Sequence, residues 1–282
     1  MTRVLLTGGA GFVGRQILAR LLERNCGVRL PVRKPVTLAP QVEQIVIEDL
    51  FTASSTQLQQ LCSDIDVVIH SAWYAVPGKY LTADENIACL TGTLQLAQTA
   101  IHAGVARFVG IGTCFEYDLA SGYLCIDTPI APTTLYGACK ASAFLSLSQL
   151  MSREERSFAW CRLFYLYGEG ESERRLVPYI RTRLAAGEPA QLTSGRQIRD
   201  YMDVREAGIR IADVALSDAQ GPINICSGKP ITVADLARRV ADEYARQDLL
   251  LFGAQADRHD DPPCVVGEPG MIALCDAEWR KR

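Results

Sequence analysis

The sequence lacks the features of several specialised classes of protein. Only 3 of its 282 residues are histidine, and its 10 cysteines are scattered with no Cys-x-x-Cys pair, so no metal site is expected. Lysine and arginine number 29 against 32 aspartates and glutamates, which leaves no basic excess to bind nucleic acid. No apolar run approaches the roughly 20 residues of a membrane span, and no secretory segment precedes the first predicted strand. We therefore expect a cytoplasmic protein, with its cysteines reduced, that binds neither nucleic acid nor membrane.

The first 160 residues alternate short apolar runs with amphipathic helical patterns. Such alternation is typical of an α/β fold in which helices cover both faces of a parallel sheet. The sequence therefore predicts a Rossmann-type, doubly wound sheet, with ligands bound at the carboxyl ends of its strands. Six strands are predicted near 4–6, 28–32, 44–47, 66–69, 107–111 and 160–163, and two long helices near 80–102 and 134–155.

The remaining 120 residues lose this rhythm and are divided by glycine- and proline-rich turns. We predict a dinucleotide-binding domain over 1–164, with a later return to it near 203–228. Residues 165–282 are predicted to form mainly a smaller, interwoven substrate-binding domain. Its helices are expected near 173–186, 203–216 and 232–247, and its strands near 190–193 and 223–226.

A glycine-rich turn follows the first predicted strand. Gly8, Gly11 and Gly14 are spaced three residues apart, with Phe12 and Val13 between the last two. Glycine permits a tight strand-to-helix turn and lets the backbone approach a phosphate closely, where the free N–H groups of the helix start can bind it. Because the motif lies between a strand and an amphipathic helix, it predicts a dinucleotide site.

The second predicted strand ends in Arg33 and Lys34, where many dinucleotide-binding folds have an acidic residue. A carboxylate would repel a 2′-phosphate, whereas a guanidinium pairs with it. Arg15, directly after the last glycine, could join this contact. These residues favour NADP(H) over NAD(H); the less favoured alternative is that Arg33 and Lys34 are ordinary solvated surface charges.

Three residues suggest a proton-transfer site. Tyr136 and Lys140 are four apart on a predicted helix and therefore share a face. A neighbouring cation favours phenolate, so Lys140 is expected to lower the tyrosine pKa towards neutrality. The hydroxyl of Thr113, after the fifth strand, could orient the reacting oxygen. We predict that these three residues are catalytic.

The whole pattern resembles the extended short-chain dehydrogenase/reductases of the NAD-dependent epimerase/dehydratase family. Further matching features are Asp49, His70-Ser71-Ala72, Asn86 with Gly92-Thr93, Tyr117, Arg162 with Tyr167-Gly168, and Arg199-Asp200-Tyr201.

The resemblance implies that Asp49 and Leu50 contact the adenine, and that Ala72 and Asn86 also contact the cofactor. Tyr136 and Lys140 would bind the cofactor as well, with Lys140 on the nicotinamide ribose.

On the substrate side, Thr113, Cys114, Phe115 and Tyr165 would line the site and Arg199 would contact a diphosphate. Val177, in the segment 176–178, would lie near the nucleotide base. The resemblance also implies a homodimer formed through the helices near 80–102 and 134–155.

Two departures from the family pattern bear on the reaction. The family's dehydratases have Asp and Glu after the catalytic threonine; Cys114 and Phe115 stand there instead, which argues against water elimination. Tyr165 stands where family epimerases commonly have asparagine. The sequence therefore favours NADPH-dependent reduction of a nucleotide-linked 4-keto-(6-deoxy)hexose, with Tyr136 as proton donor. An NAD-dependent 4-epimerase and a non-catalytic NADP sensor stay open, as does whether residues 73–80 cover the substrate or form a packed surface loop.

Overall fold

The computed structural model describes residues 1–259 and 261–270; the last part of the predicted substrate domain, residues 271–282, lies outside the described residues. The described strands, β1 to β14, are Arg3–Thr7, Gly27–Val32, Val42–Val46, Val67–His70, Arg107–Thr113, Tyr123–Leu124, Ser157–Leu163, Tyr165–Tyr167, Ala190–Gln191, Ile198–Asp203, Gly221–Ile225, Pro230–Thr232, Leu250–Leu251 and Cys264–Gly267. The described α-helices, α1 to α7, are Gly14–Glu23, Ser55–Cys62, Glu85–His102, Leu135–Arg153, Leu176–Ala185, Val204–Ala215 and Val233–Asp242.

The larger sheet has seven parallel strands in the order β3-β2-β1-β4-β5-β7-β11. The chain runs outward from β1 to β3 and then crosses to β4 on the other side of β1. This reversal between β1 and β4 creates the crevice at the carboxyl ends where such sheets bind ligands. The predicted doubly wound α/β fold is confirmed, and the strand predicted near 223–226 is β11 at the edge of this sheet.

Alternation along β1 shows how both faces of this sheet are covered. Val4 and Leu6 belong to the apolar cluster that α1 and α6 close, whereas Leu5 belongs to the cluster closed by α2, α3 and α4. On the first face a Cβ at Gly208 of α6 would overlap Gln16 of α1, so the two helices cross closely because glycine is there. None of the described helices is long and apolar enough to cross a bilayer.

A second sheet lies beyond the carboxyl end of β7. Its strands run in the order β12-β10-β14-β6, and β8 pairs with β10 as well. A separate apolar cluster, formed mainly by α5 and α7, packs beside it. Most of these strands have only two to four residues, too few to show a periodic pattern. The sequence therefore did not reveal β8 or β14. It also missed β10, which has six residues, because the charged Arg199 and Asp200 interrupt its apolar pattern.

Two predicted helices are shorter than their apolar patterns indicated. The helix expected from residue 80 begins at Glu85, because the Asn86 amide donates to the carbonyls of Tyr80 and Ala83 and holds that segment in turns. The helix expected to reach residue 247 ends at Asp242, and Ala245 has a φ of +53°, which no α-helix allows.

Candidate active site

The glycine turn brings two segments of backbone close together between β1 and α1. Gly8 has a φ of +70°, and a Cβ placed on it would lie 2.7 Å from the Ala72 nitrogen. A Cβ on Gly14 would overlap the Gly8 carbonyl oxygen. The Gly11 N–H donates to that same oxygen at 2.9 Å. Only glycine fits these positions, and the cradle has the backbone amides and close approach that a pyrophosphate needs.

A buried hydrogen-bond chain ties this turn to the next strand. The Ala72 N–H donates to the Thr7 hydroxyl at 3.2 Å, and that hydroxyl lies 2.8 Å from His70 Nδ1. His70 Nε2 lies 2.8 Å from the Thr93 hydroxyl, which donates to the Cys89 carbonyl. Since each hydroxyl has one proton, His70 accepts at Nδ1 and donates at Nε2. Burial lowers its pKa to about 3, so the imidazole is neutral and fixes Ala72.

The residues predicted for the adenosine end are exposed. Arg33 and Lys34 follow β2 directly, and Arg15, also exposed, donates from Nε to the Gly11 carbonyl at 3.3 Å. Asp49 accepts the Phe51 N–H at 2.9 Å and so caps the short 3-10 helix that begins at Leu50. Arg33 and Lys34 therefore lie at the end of β2, where a 2′-phosphate would be bound, whereas Arg15 lies on α1 with its guanidinium next to Gly170.

The Thr113 loop rests on a buried carboxylate. Glu116 is fully buried, accepts the Thr113 N–H at 2.8 Å and pairs with Arg162 at 2.7 Å. The Trp160 indole N–H donates to it as well. Arg162 is itself only 1% exposed and donates to the Tyr117 hydroxyl at 2.9 Å. Sequence reasoning missed Glu116, although Thr113-x-x-Glu116 is the spacing of the capping box that the structure contains.

Tyr136 lies in the first turn of α4 within a wall of aromatic rings. The ring of Tyr80 is 4.9 Å away at 89°, and those of Trp73 and Phe115 are each 6.4 Å away in edge-on contact. The aromatic pairs fix the plane of the phenol. The segment 73–80 therefore packs against the tyrosine that the sequence predicted to be catalytic.

Burial is the main influence on the pKa of Tyr136 and raises it, and the neighbouring Tyr80 raises it further. A hydrogen-bonding interaction with the Thr113 side chain lowers it in part. The expectation that Lys140 lowers this pKa does not hold in this structure, because Lys140 is not among the main influences and desolvation dominates. The phenol is therefore protonated at neutral pH.

Lys140 is 3% exposed and points away from solvent. Its Nζ donates to the Ile111 carbonyl at 2.5 Å and lies 3.8 Å from the centroid of the Trp73 ring. Burial lowers its pKa to about 7, while the carboxylate of Glu116 raises it in part. The ammonium is thus close to losing its proton at neutral pH.

Arg199 lies on β10 and connects the second sheet to this aromatic wall. Its guanidinium is 5.3 Å from the Tyr165 ring, which contacts Phe115 at 6.3 Å. Its Nη2 also pairs with the Asp261 carboxylate at 2.6 Å. The residue predicted to bind a diphosphate is therefore already paired with a negative group of the chain itself. Sequence reasoning did not foresee Asp261, because it lies 62 residues further along the chain.

The structure brings four predicted residues together: the ring of Phe115 contacts those of Tyr136 and Tyr165, and the Thr113 side chain interacts with Tyr136. Lys140 lies one helical turn further along α4 from Tyr136. Arg199, like Lys140, is only 3% exposed, and three further predicted residues are almost entirely enclosed. Cys114 is 1% exposed and burial raises its pKa to about 12, Val177 is 2% exposed in the apolar cluster of α5 and α7, and Asn86 is fully buried under the 73–83 segment. In the described part of the chain no group of three or more His, Cys, Asp or Glu side chains could hold a metal ion.

Comparison with known proteins shows which enzymes the chain is similar to. The model of the NAD dependent epimerase/dehydratase family matches residues 4–226. A dTDP-6-deoxy-L-talose 4-dehydrogenase (NAD(P)(+)) of Kitasatospora kifunensis is 29% identical over 261 residues, which cover 86% of this chain and 79% of that protein. A CDP-abequose synthase of Salmonella muenchen is 23% identical over 270 residues, covering 92% and 86%.

Solved structures show the same architecture. The UDP-glucose 4-epimerase of Thermus thermophilus, in complex with NAD, matches with a TM-score of 0.82 at 22% identity. The match covers 95% of this chain and 91% of that one. At this identity the likeness establishes the fold alone, and the reaction has to be argued from the site.

Proposed function

The chain belongs to the NAD dependent epimerase/dehydratase family, and within it we propose that this NAD(P)-dependent enzyme reduces a nucleotide-linked 4-keto-(6-deoxy)hexose to the 4-hydroxy sugar. The observation that carries the proposal is the contact of a protonated, enclosed Tyr136 with the ring of Phe115. The first can donate a proton and the second can neither donate nor accept one. This combination suits reduction better than elimination of water.

The residues of the cradle and the adjoining strand ends fit a dinucleotide. Gly8, Gly11 and Gly14 would hold the pyrophosphate, and Asp49 and Leu50 would face the adenine. Arg33 and Lys34 would bind a 2′-phosphate, so NADP(H) is proposed as the preferred cofactor.

When bound, reduced cofactor supplies the hydride that, together with one proton, converts the ketone into a secondary alcohol. Tyr136 donates that proton to the C4 oxygen, and its raised pKa keeps the phenol protonated at neutral pH. Thr113, held at its backbone by Glu116, orients the oxygen beside the phenol. Lys140 would bind the nicotinamide ribose with its ammonium group.

The substrate is proposed to enter from the side of the second sheet. Arg199 would bind the diphosphate, which would replace the carboxylate of Asp261 on its guanidinium. Tyr165 and Phe115 offer ring faces to the sugar, with Cys114 behind them, and Val177 would lie near the base. An apolar wall of this kind favours a deoxygenated carbon over a hydroxyl group that it could not hydrogen-bond.

A homodimer is proposed through α3 and α4. These neighbouring helices expose Ile87 by 52% and Leu145 by 53%, and side chains of this kind are expected where a second copy packs. Light scattering at several protein concentrations tests this; a monomer at all of them contradicts it.

The function is tested with purified enzyme and enzymatically prepared dTDP- and CDP-linked 4-keto-6-deoxyglucose. We expect consumption of NADPH in equal amount to the sugar product, and no turnover without added cofactor. A 4-epimerase would instead interconvert 4-hydroxy sugars with cofactor retained from purification. A sensor would bind NADPH and consume none, and either result would contradict the reductase.

A further inference from the structure

Trp73 makes the closest aromatic contact to the buried ammonium. The Lys140 Nζ lies 3.8 Å from the centroid of the Trp73 ring, against 5.9 Å from that of Trp160. A cation over an indole face is attracted by the negative centre of the ring, and the attraction is stronger where water is excluded. Lys140 is 3% exposed, so this contact acts in a dry environment.

The indole of Trp73 is held in place by a hydrogen bond. Its Nε1–H donates to Asn86 Oδ1 at 2.8 Å, and the Asn86 amide donates to the carbonyls of Tyr80 and Ala83. Asn86 is fully buried and all of these contacts lie within one loop and the start of α3. The plane of the indole is therefore fixed by the fold before any ligand arrives.

The other groups that face Lys140 are few. The carboxylate of Glu116 and the thiol of Cys89 favour its charged form, and the neutral imidazole of His70 lies close enough for the ammonium to affect it. Ile111 contributes a carbonyl oxygen. Only Glu116 has a full negative charge, and that charge is shared with Arg162. The ring face of Trp73 is thus a substantial part of what stabilises the cation.

We propose that Trp73 is a positioning residue for Lys140: its indole face, locked by Asn86, keeps the ammonium charged and aimed at the cofactor. This rests on the proposed role of Lys140 in the reduction. Trp73 also contacts the Tyr136 ring edge-on, so the same indole sets the spacing of both groups. The 73–80 segment is then part of the site and more than a packed loop.

The first test uses protein without ligand, so that it does not depend on the reaction. The pKa of Lys140 is about 7 when folded and higher when unfolded, so the unfolded state holds more protons above pH 7. Stability contributed by Lys140 therefore rises as the pH increases from about 7 to about 10. In Trp73→Leu this rise should begin about one pH unit lower, and in Trp73→Phe by a smaller amount, as followed by thermal unfolding.

The matched control repeats both substitutions in a Lys140→Met background. There the rise attributed to Lys140 disappears, and the difference in pH dependence between Trp73→Leu and Trp73→Phe should disappear with it. A role confined to packing would lower stability equally at every pH in both backgrounds. That outcome, or an unmoved rise in Trp73→Leu, overturns the inference.

The second test follows kcat/KM for reduction against pH. Activity should fall as the pH rises through the pKa of Lys140, and this alkaline limb should move down by about one pH unit in Trp73→Leu and less in Trp73→Phe. If the stability test succeeds but no variant or wild type reduces the ketosugar, the proposed function fails and the role of Trp73 stands. If neither the rise in stability nor the alkaline limb of activity moves in Trp73→Leu, the inference itself is wrong.

Discussion

The two sheets of the molecule handle a fully buried carboxylate in different ways. Glu116, at the end of β5, is neutralised by the guanidinium of Arg162. Asp200, on β10, instead accepts the backbone N–H groups of Ser227, Gly228 and Gly267, and the Ser227 hydroxyl. The ion pair of the larger sheet supports the candidate catalytic threonine, and the amide clamp of the second sheet holds segments around Arg199.

The difference indicates that the two sheets contribute different parts of the candidate site. In the larger sheet the glycine turn, Ala72 and Thr113 lie at or just after the ends of neighbouring parallel strands, so the sheet itself places them. Tyr136 and Lys140 lie on α4, which packs on this sheet. In the second sheet Arg199, Tyr165 and Asp261 come from segments far apart in the chain. Substitutions in the larger sheet should therefore alter rate or stability, and substitutions in the second sheet should alter substrate affinity.

The largest expected effect is on the rate of Tyr136→Phe. Loss of the proton donor should lower kcat about 10²- to 10⁴-fold, the usual contribution of a positioned general acid. The dissociation constant of NADPH, measured by fluorescence titration, should change little. Tyr123→Phe, an exposed tyrosine of β6, is the control. A Tyr136→Phe enzyme that retains near wild-type turnover would contradict the assigned donor.

Removing the cation of the buried pair should have the largest effect on stability. Arg162→Met leaves Glu116 charged and unpaired, and breaking such a pair costs about 3–5 kcal/mol of unfolding free energy. Urea denaturation measures this. Arg246→Met removes an exposed pair with Asp248 and should change the unfolding free energy little, because water screens that pair.

The double substitution Glu116→Gln with Arg162→Met should recover part of the loss. Equal costs for Arg162→Met and Arg246→Met would show that the larger sheet does not depend on its ion pair.

In the second sheet, Arg199→Gln should raise the KM of the nucleotide-sugar substrate about 10- to 100-fold, as expected for one charge-assisted hydrogen bond. Its kcat should change little. Asp261→Asn should lower the same KM, because it removes the carboxylate that competes for the guanidinium. Initial rates at varied sugar concentration measure both. A loss of kcat in Arg199→Gln without a change in KM would contradict the expectation that the second sheet determines substrate affinity and the larger sheet the rate.

The smallest expected effect concerns the cofactor. Arg33→Ala should raise the KM of NADPH about 10-fold and leave that of NADH unchanged, since only NADPH has the 2′-phosphate. Glu48→Ala, another exposed charge close to the carboxyl ends of the strands, is the control. If Arg33→Ala raises the KM of NADPH and that of NADH by the same factor, Arg33 does not bind the 2′-phosphate.

Local patterns predicted most of the larger sheet and its candidate site residues. Gly8 and Gly14 were identifiable because the steric requirement is within one turn, and Tyr136 and Lys140 because a helix places residues four apart on one face. The pairing of Glu116 with Arg162 joins two strands and needs the sheet to be known. The division into two domains and the individual binding roles stay predictions.

Periodicity and turn chemistry are local properties, so the amino-acid chain alone was enough to specify the doubly wound sheet, its glycine cradle and the candidate proton donor. The assembled fold was needed to show that the Trp73 ring contacts the Lys140 ammonium, that burial raises the pKa of Tyr136, and that Asp261 forms an ion pair with Arg199. Desolvation and charge pairing depend on which distant segments exclude water from a group, and no local pattern contains that information.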